Sequence, residues 1–188
     1  MKYPDLPPVS MNITAEEFLS WPEDGKQYEL IDGEACMTPS PLEIHQRLVL
    51  NLASELLKYL DANPVGRVYV APFDVELNAS NVFQPDIIFI LNEHGDRITA
   101  SRVTGAPDLV IEILSPSTAS RDKNIKFRTY ASSGVHEVWI VEPNEQQFEL
   151  YRLREDRQYG LSEIVGYDGT LTTSLLPGLS ISVSRLYR

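Results

Sequence analysis

The sequence predicts an α/β domain, a mixed central sheet flanked by helices, from three observations. Two short runs, DIIFIL from Asp86 and DLVIEIL from Asp108, are apolar on both faces, the pattern of inner strands covered on each side. Leu48, Leu52, Leu56 and Leu60 recur at four-residue steps, the stripe of a helix lying against a core. The stretch from Ala106 to Pro143 reads as strand, loop, helix, strand, which places both element types in one layered unit.

Bulk properties set the limits. With 188 residues, 43% hydrophobic, the chain suffices for one substantial core and is too short for two ordinary domains. Residues 1–27 are expected to form an arm and a short helix, and residues 28–188 a single domain. Lys+Arg 16 against Asp+Glu 27 gives a net charge of −11, which argues against a protein that coats nucleic acid generally. One cysteine, Cys36, excludes an intrachain disulfide and a Cys-rich zinc site and fits a reducing compartment. The N-terminus has no apolar leader and no run approaches a membrane span, so the expectation is a soluble cytoplasmic protein without membrane contact.

Taken in order, residues 1–10 carry Pro4, Pro7 and Pro8 and read as an irregular arm. Thr14 followed by Glu17 is a capping box that opens a short helix. YELIDGEACMTP is two short strands around the turn Asp32-Gly33. The leucine-striped helix follows, with Ser40 and Glu43 as its expected cap and Asn63-Pro64 as its end. Strands come next in series: GRVYVAPFDVEL, VFQPDIIFIL and APDLVIEILS. A helix near Arg121–Ser133 stops at Gly134, then HEVWIVEP forms an inner strand and QQFELYRL extends the series. The remaining tail reads as an irregular hairpin with residues 175–179 packed back on the sheet.

The chemistry lies where charge interrupts apolar strands. In DLVIEIL, Leu109, Ile111 and Ile113 point one way and Val110, Glu112 and Leu114 the other, so Glu112 faces a covered layer and needs a cation or a metal beside it. Asp86 stands at the mouth of the other apolar strand, directly after Pro85. If the two strands pair, a spacing of about 4.8 Å lets both carboxylates reach one divalent ion. Asp108 is excluded as the partner, because four residues along one strand put it about 13 Å from Glu112. On the following helix Asp122, Lys126 and Tyr130 share one face, with Asp122 read as a surface pair and Tyr130 as a ring packed on the sheet.

These motifs carry a resemblance. The order of elements, with PD on one strand and an acidic residue on the next, resembles the restriction-endonuclease-like core of the PD-(D/E)XK nuclease superfamily. YELIDGE, SP followed by His45, QPDIIFI, and PDLVIEILSPST with Asp122, Lys126, Tyr130, Gly134, Val135 and Trp139 resemble the Uma family, formerly known only as a domain of unknown function. The likeness runs from Tyr28 to Pro143. The superfamily's usual lysine, two residues after the glutamate, is Leu114 here; the Uma pattern places it on the next helix, at Lys126, with Lys123 a weaker candidate on another face.

The resemblance implies metal-assisted phosphodiester hydrolysis. Asp86, Glu112 and the carbonyl of Ile113 would hold Mg2+ or Mn2+, and Lys126 would act on water or on the phosphate. A lysine with a depressed pKa suits base work, whereas one beside two carboxylates and no metal is held charged. Glu34 and His45 match family positions as further catalytic candidates, and Gln84, on the same strand face as Asp86, is placed to orient substrate. DNA is the expected partner over RNA, with Arg102, Arg121, Lys123, Lys126 and Arg128 needed at the mouth to offset the charge, and a homodimer is possible. Two other readings fit the same residues: a catalytically inactive interaction module, and a phosphodiesterase acting on RNA.

Overall fold

Two sheets, rather than one, carry the strands. The structure, a computed structural model, describes residues 12–22, 24–115 and 121–188, with 121–124 described by backbone alone. The arm expected over residues 1–10 lies outside the described residues.

The larger sheet contains β3 (Gly66–Val70), β6 (Ile87–Leu91), β8 (Leu109–Ile113), β9 (Glu137–Glu142), β10 (Gln147–Leu153) and β11 (Tyr159–Val165), in the order β11-β10-β9-β8-β6-β3. Strands β8 and β9 are parallel, joined through α3 (Arg121–Ser133), and the other pairs are antiparallel, so the sheet is mixed as expected. The smaller sheet contains β1 (Tyr28–Ile31), β2 (Glu34–Met37), β4 (Asp74–Asn78), β5 (Asn81–Phe83) and β7 (Arg102–Thr104), in the order β2-β1-β5-β4-β7.

Both long strand runs in the sequence break at a proline. GRVYVAPFDVEL divides at Pro72 into β3 of one sheet and β4 of the other, and VFQPDIIFIL divides at Pro85 into β5 and β6. Proline has no N–H to give a ladder, so these are the points at which a chain can leave one sheet for another. Asp86 stands at the second of them.

Each face of the larger sheet has its own core. On one side Leu48, Leu52 and Leu56 of α2 (Glu43–Ala62) pack on Ile87, Phe89, Leu109, Ile111 and Ile113. The tail joins this side: β12 (Thr170–Leu171) pairs with β13 (Ile181–Ser182), Leu176 and Leu179 between them are buried, and α4 (Val183–Leu186) follows. On the other side Ile88, Ile90, Val110, Val138 and Ile140 meet Val75, Phe83 and Val103 of the smaller sheet and Tyr130 of α3. Glu112 projects into this second, inter-sheet layer, in step with Val110.

Local signals decide most element ends. Thr14 and Glu17 form the capping box of α1 (Ala15–Leu19), whose Phe18 packs with Leu30 and Val82, so this helix joins the smaller sheet. Asp32 and Gly33 both have positive φ (49° and 79°), the two-residue turn that a twisted hairpin requires. Gly134, at φ 92°, closes α3 by donating to the carbonyl of Tyr130. The expected Ser40 cap is absent: α2 starts from Leu42 without a side-chain cap, its first orphan N–H groups close to the cavity mouth. Among the described residues no helix is long and apolar enough to cross a membrane.

Candidate active site

The β6–β8 register pairs Ile87 with Ile111, and one step further brings Asp86 opposite Glu112. The backbone N–H of Ile113 donates to Asp86 Oδ2 at 2.7 Å, which pins the carboxylate to the end of β8. His45, on the first turn of α2, reaches the same carboxylate with Nε2, 3.1 Å from both oxygens. Burial works against charge on His45, but the hydrogen bond and charge of Asp86, with Glu112 and the Ile113 backbone, outweigh it and raise the imidazole pKa.

Glu112 is held from the opposite side. Tyr130 donates its hydroxyl to Glu112 Oε1 at 2.6 Å, and Lys126 Nζ lies 3.5 Å from the same oxygen. Lys126 makes its shorter contact, 2.8 Å, with Glu29 of β1, and its ammonium stands 5.5 Å from the centre of the Phe83 ring. The backbone N–H of Gln84 caps the same Glu29 oxygen at 2.8 Å. The lysine therefore bridges the two sheets, tied to Glu29 on the smaller and Glu112 on the larger.

Burial dominates the electrostatics. It pushes the Glu112 carboxyl up to about 7; Lys126 and Tyr130 pull it down, while Asp86 and Glu29 push it further up. Lys126 also loses solvent, yet Glu112 and Glu29 more than compensate and raise its pKa above the ordinary lysine value. The lysine is held charged, the opposite of the depressed pKa that base work needs. Three carboxylates, Glu29, Asp86 and Glu112, thus face one ammonium and one imidazole in a recess of about 790 Å3.

That imbalance is the test for a metal. A recess in which three carboxylates outnumber the cationic groups beside them offers the oxygen donors that suit a hard divalent cation. Among the described residues no cluster of three or more Asp, Glu, His or Cys forms a ready-made cage. Mg2+ does not require one, since it is commonly held by one or two carboxylates with water and phosphate completing its shell.

The other sequence candidates separate. Glu34 shares a face with Glu29 but sits at the hairpin end, exposed and outside the cavity lining, so Glu29 is the hairpin carboxylate that the structure brings to the site. Gln84 lines the cavity with its side-chain amide donated to Asp74 at 2.8 Å. The side chains of Arg121, Asp122 and Lys123 lie outside the described residues. Arg102 is paired with Glu76 at 2.7 Å and Arg128 is exposed away from the lining, so among the described residues the expected cationic mouth reduces to Lys126. Asp108 is buried; it accepts from the N–H of Leu91 and pairs with His94, a structural role remote from Glu112. Tyr130 packs its ring edge-on against Phe83 as expected, and its hydroxyl adds the contact to Glu112.

Comparison with known proteins agrees with this architecture. A family model described as "Uma2: Putative restriction endonuclease" matches residues 15–184. Two proteins of Synechocystis sp., both described as uncharacterized, are 26% and 28% identical, covering 94% and 87% of this chain and 92% and 94% of their own lengths. The crystal structure of a protein from Anabaena variabilis, titled "a putative nuclease belonging to DUF820", superposes with a TM-score of 0.77 at 23% identity, covering 93% of this chain and 97% of that one. That likeness establishes the shared fold.

Proposed function

The chain belongs to the Uma2 family, and from that premise we propose that it is a divalent-metal-dependent endonuclease that hydrolyses phosphodiester bonds in DNA. One observation carries the reading: Asp86 and Glu112 stand opposite each other at paired strand ends, with a charged lysine fixed at Glu112. Asp86, Glu112 and the Ile113 carbonyl would hold Mg2+ or Mn2+, which when bound supplies an acidified water and offsets charge on the phosphate.

The chain's own groups supply the rest. Lys126, held charged by Glu29 and Glu112, donates to a non-bridging phosphate oxygen and stabilises the charge that builds there as water adds to phosphorus and releases its proton to bulk solvent. Tyr130 fixes the orientation of the Glu112 carboxylate. His45, with Nε2 on the Asp86 carboxylate, orients that group, and the departing oxygen takes its proton from solvent water as the P–O bond breaks. Glu29 keeps the ammonium from collapsing onto Glu112, which leaves that carboxylate available.

The test is cleavage of supercoiled plasmid with Mn2+ or Mg2+, comparing wild type with Glu112→Ala and Lys126→Ala. Nicking by wild type and its loss in both folded variants supports the reading. An inert wild type that no divalent ion stabilises against heat would overturn it.

A further inference from the structure

The larger sheet has two unlike edges. At one, β11 is spoiled for further pairing: a bulge leaves Ser162 out of register with β10, and the exposed Glu163 follows it. At the other, the five residues of β3 run beside β6 in unbroken register. Ala71 N–H donates to the Asp86 carbonyl and Asn92 N–H to the Val65 carbonyl, so residues 65, 67, 69 and 71 turn their backbone groups toward β6. Gly66, Val68 and Val70 therefore turn theirs outward. Among the described residues β3 pairs with β6 alone. Such a row of free donors and acceptors is a template for another strand.

Apolar side chains flank this open edge. Val65 and Val70, at its two ends, are 39% and 41% exposed, and Leu50 and Leu57 on one face of α2 are 69% and 52% exposed. The tail bonds the other side of α2, through Asn51 and Tyr59, and leaves this face uncovered. Only residues 63–65 join α2 to β3, so the two run in opposite senses, with Leu50 and Val70 together at the cavity mouth.

The strip reads alike in both directions, as a surface that meets its own copy must. Gly66 and Val70 stand evenly about Val68, and Leu50 and Leu57 evenly about Ala53 and Ser54, small residues beside which a second helix can come close. A two-fold axis at Val68 sets Arg67 opposite Tyr69 of the second copy, so like charges do not meet across the strands. The four aliphatic side chains, each offering on the order of 100 Å2, supply about half of the roughly 800 Å2 per partner that a stable interface buries. The β3 backbone, Arg67 and a polar rim are left to supply the remainder.

We infer that β3 pairs antiparallel with β3 of a second copy about a two-fold axis at Val68, joining the larger sheets of the two chains. Val70 lines the cavity mouth, so the pairing puts one candidate site at each end of the joined strands. The inference does not depend on the nuclease reading.

Sedimentation velocity and amide hydrogen exchange on the full chain test it. The expected result is a dimer with a Kd of about 10 µM or tighter. Leu57→Glu and Leu50→Glu, both at exposed positions, are each expected to weaken it about tenfold or more, whereas Ile164→Glu adds the same charge on the opposite edge and leaves it unchanged. In the dimer the amides of Gly66, Val68 and Val70 are expected to exchange slowly, and in folded Leu57→Glu quickly, while those of Arg67 and Tyr69 stay protected in both. A chain that is monomeric at about 100 µM overturns the inference. Slow exchange at the three outward amides in such a monomer would mean that another part of the same chain covers the edge. A dimer that Ile164→Glu dissolves and the leucine variants keep, or one in which Gly66, Val68 and Val70 exchange quickly, overturns it as well.

Discussion

Tyr130 and Glu112 are joined by a 2.6 Å hydrogen bond across the layer between the two sheets, with the tyrosine ring buried edge-on against Phe83. The phenol is therefore a fixed donor whose position is set by core packing. Tyr130→Phe keeps the ring and removes the donor. The expected outcome is a stability loss of about 1–2 kcal/mol and a nuclease rate about tenfold lower. The acid limb of the pH–rate profile is expected to move upward, because this bond lowers the Glu112 pKa. A profile that stays in place would show that the contact is packing alone.

Metal-free stability is expected to depend on pH through Glu112. Its folded pKa of about 7 lies above the ordinary 4.5, so the folded chain binds this proton more tightly than the unfolded chain. The contribution is fully present below pH 4.5 and is lost as pH rises through 7. Glu112→Gln removes it, so the variant is expected to gain on wild type by up to about 3 kcal/mol between pH 4.5 and 8. Urea unfolding in chelator at the two pH values checks this; a pH-independent difference would contradict the buried-acid account.

Glu29 and Glu112 both touch Lys126 but are expected to differ toward metal. Glu29→Gln loosens the lysine without removing a proposed ligand, so calorimetry should find Mn2+ affinity within about threefold of wild type while the cleavage rate falls. Glu112→Gln should lose most of the affinity. Equal losses in the two variants would make Glu29 a ligand instead of an anchor for the lysine.

Gly66 supports the site from a distance. A Cβ there would meet the Ile90 carbonyl and the Phe89 ring at 2.4 Å, inside the β3–β6 pairing. Gly66→Ala is expected to cost about 1–3 kcal/mol, read from chemical unfolding. An unchanged midpoint would mean that β3 moves away freely.

What the sequence made legible follows from strand periodicity. Alternation in DLVIEIL put Glu112 on a covered face, and the length of a strand removed Asp108 as its partner; both inferences need only local geometry. Glu29 was not picked out, for a physical reason. Glu29 and Glu34 lie on the same hairpin face, and only the docking of that hairpin on the second sheet decides which end looks into the cavity. Local pattern carries no information about that docking. The division of the strands into two sheets was equally hidden, although Pro72 and Pro85 mark two of the crossings between them. The Ser40 cap failed because α2 begins at Glu43, beyond the reach its spacing implied.

The corner Gln84-Pro85-Asp86 has a consequence for rigidity. One carboxylate of the candidate pair is carried where the chain passes between layers, and the lysine is moored to both. The reacting geometry is then a gauge of how the layers are seated. Sliding one against the other by a fraction of a side chain would shift Glu29 and Lys126 relative to Glu112 while every strand stayed intact. Residues such as Val75 and Ile88, which do not line the cavity themselves, thereby set its dimensions, and slack between the layers would reach the chemistry before it reached the fold.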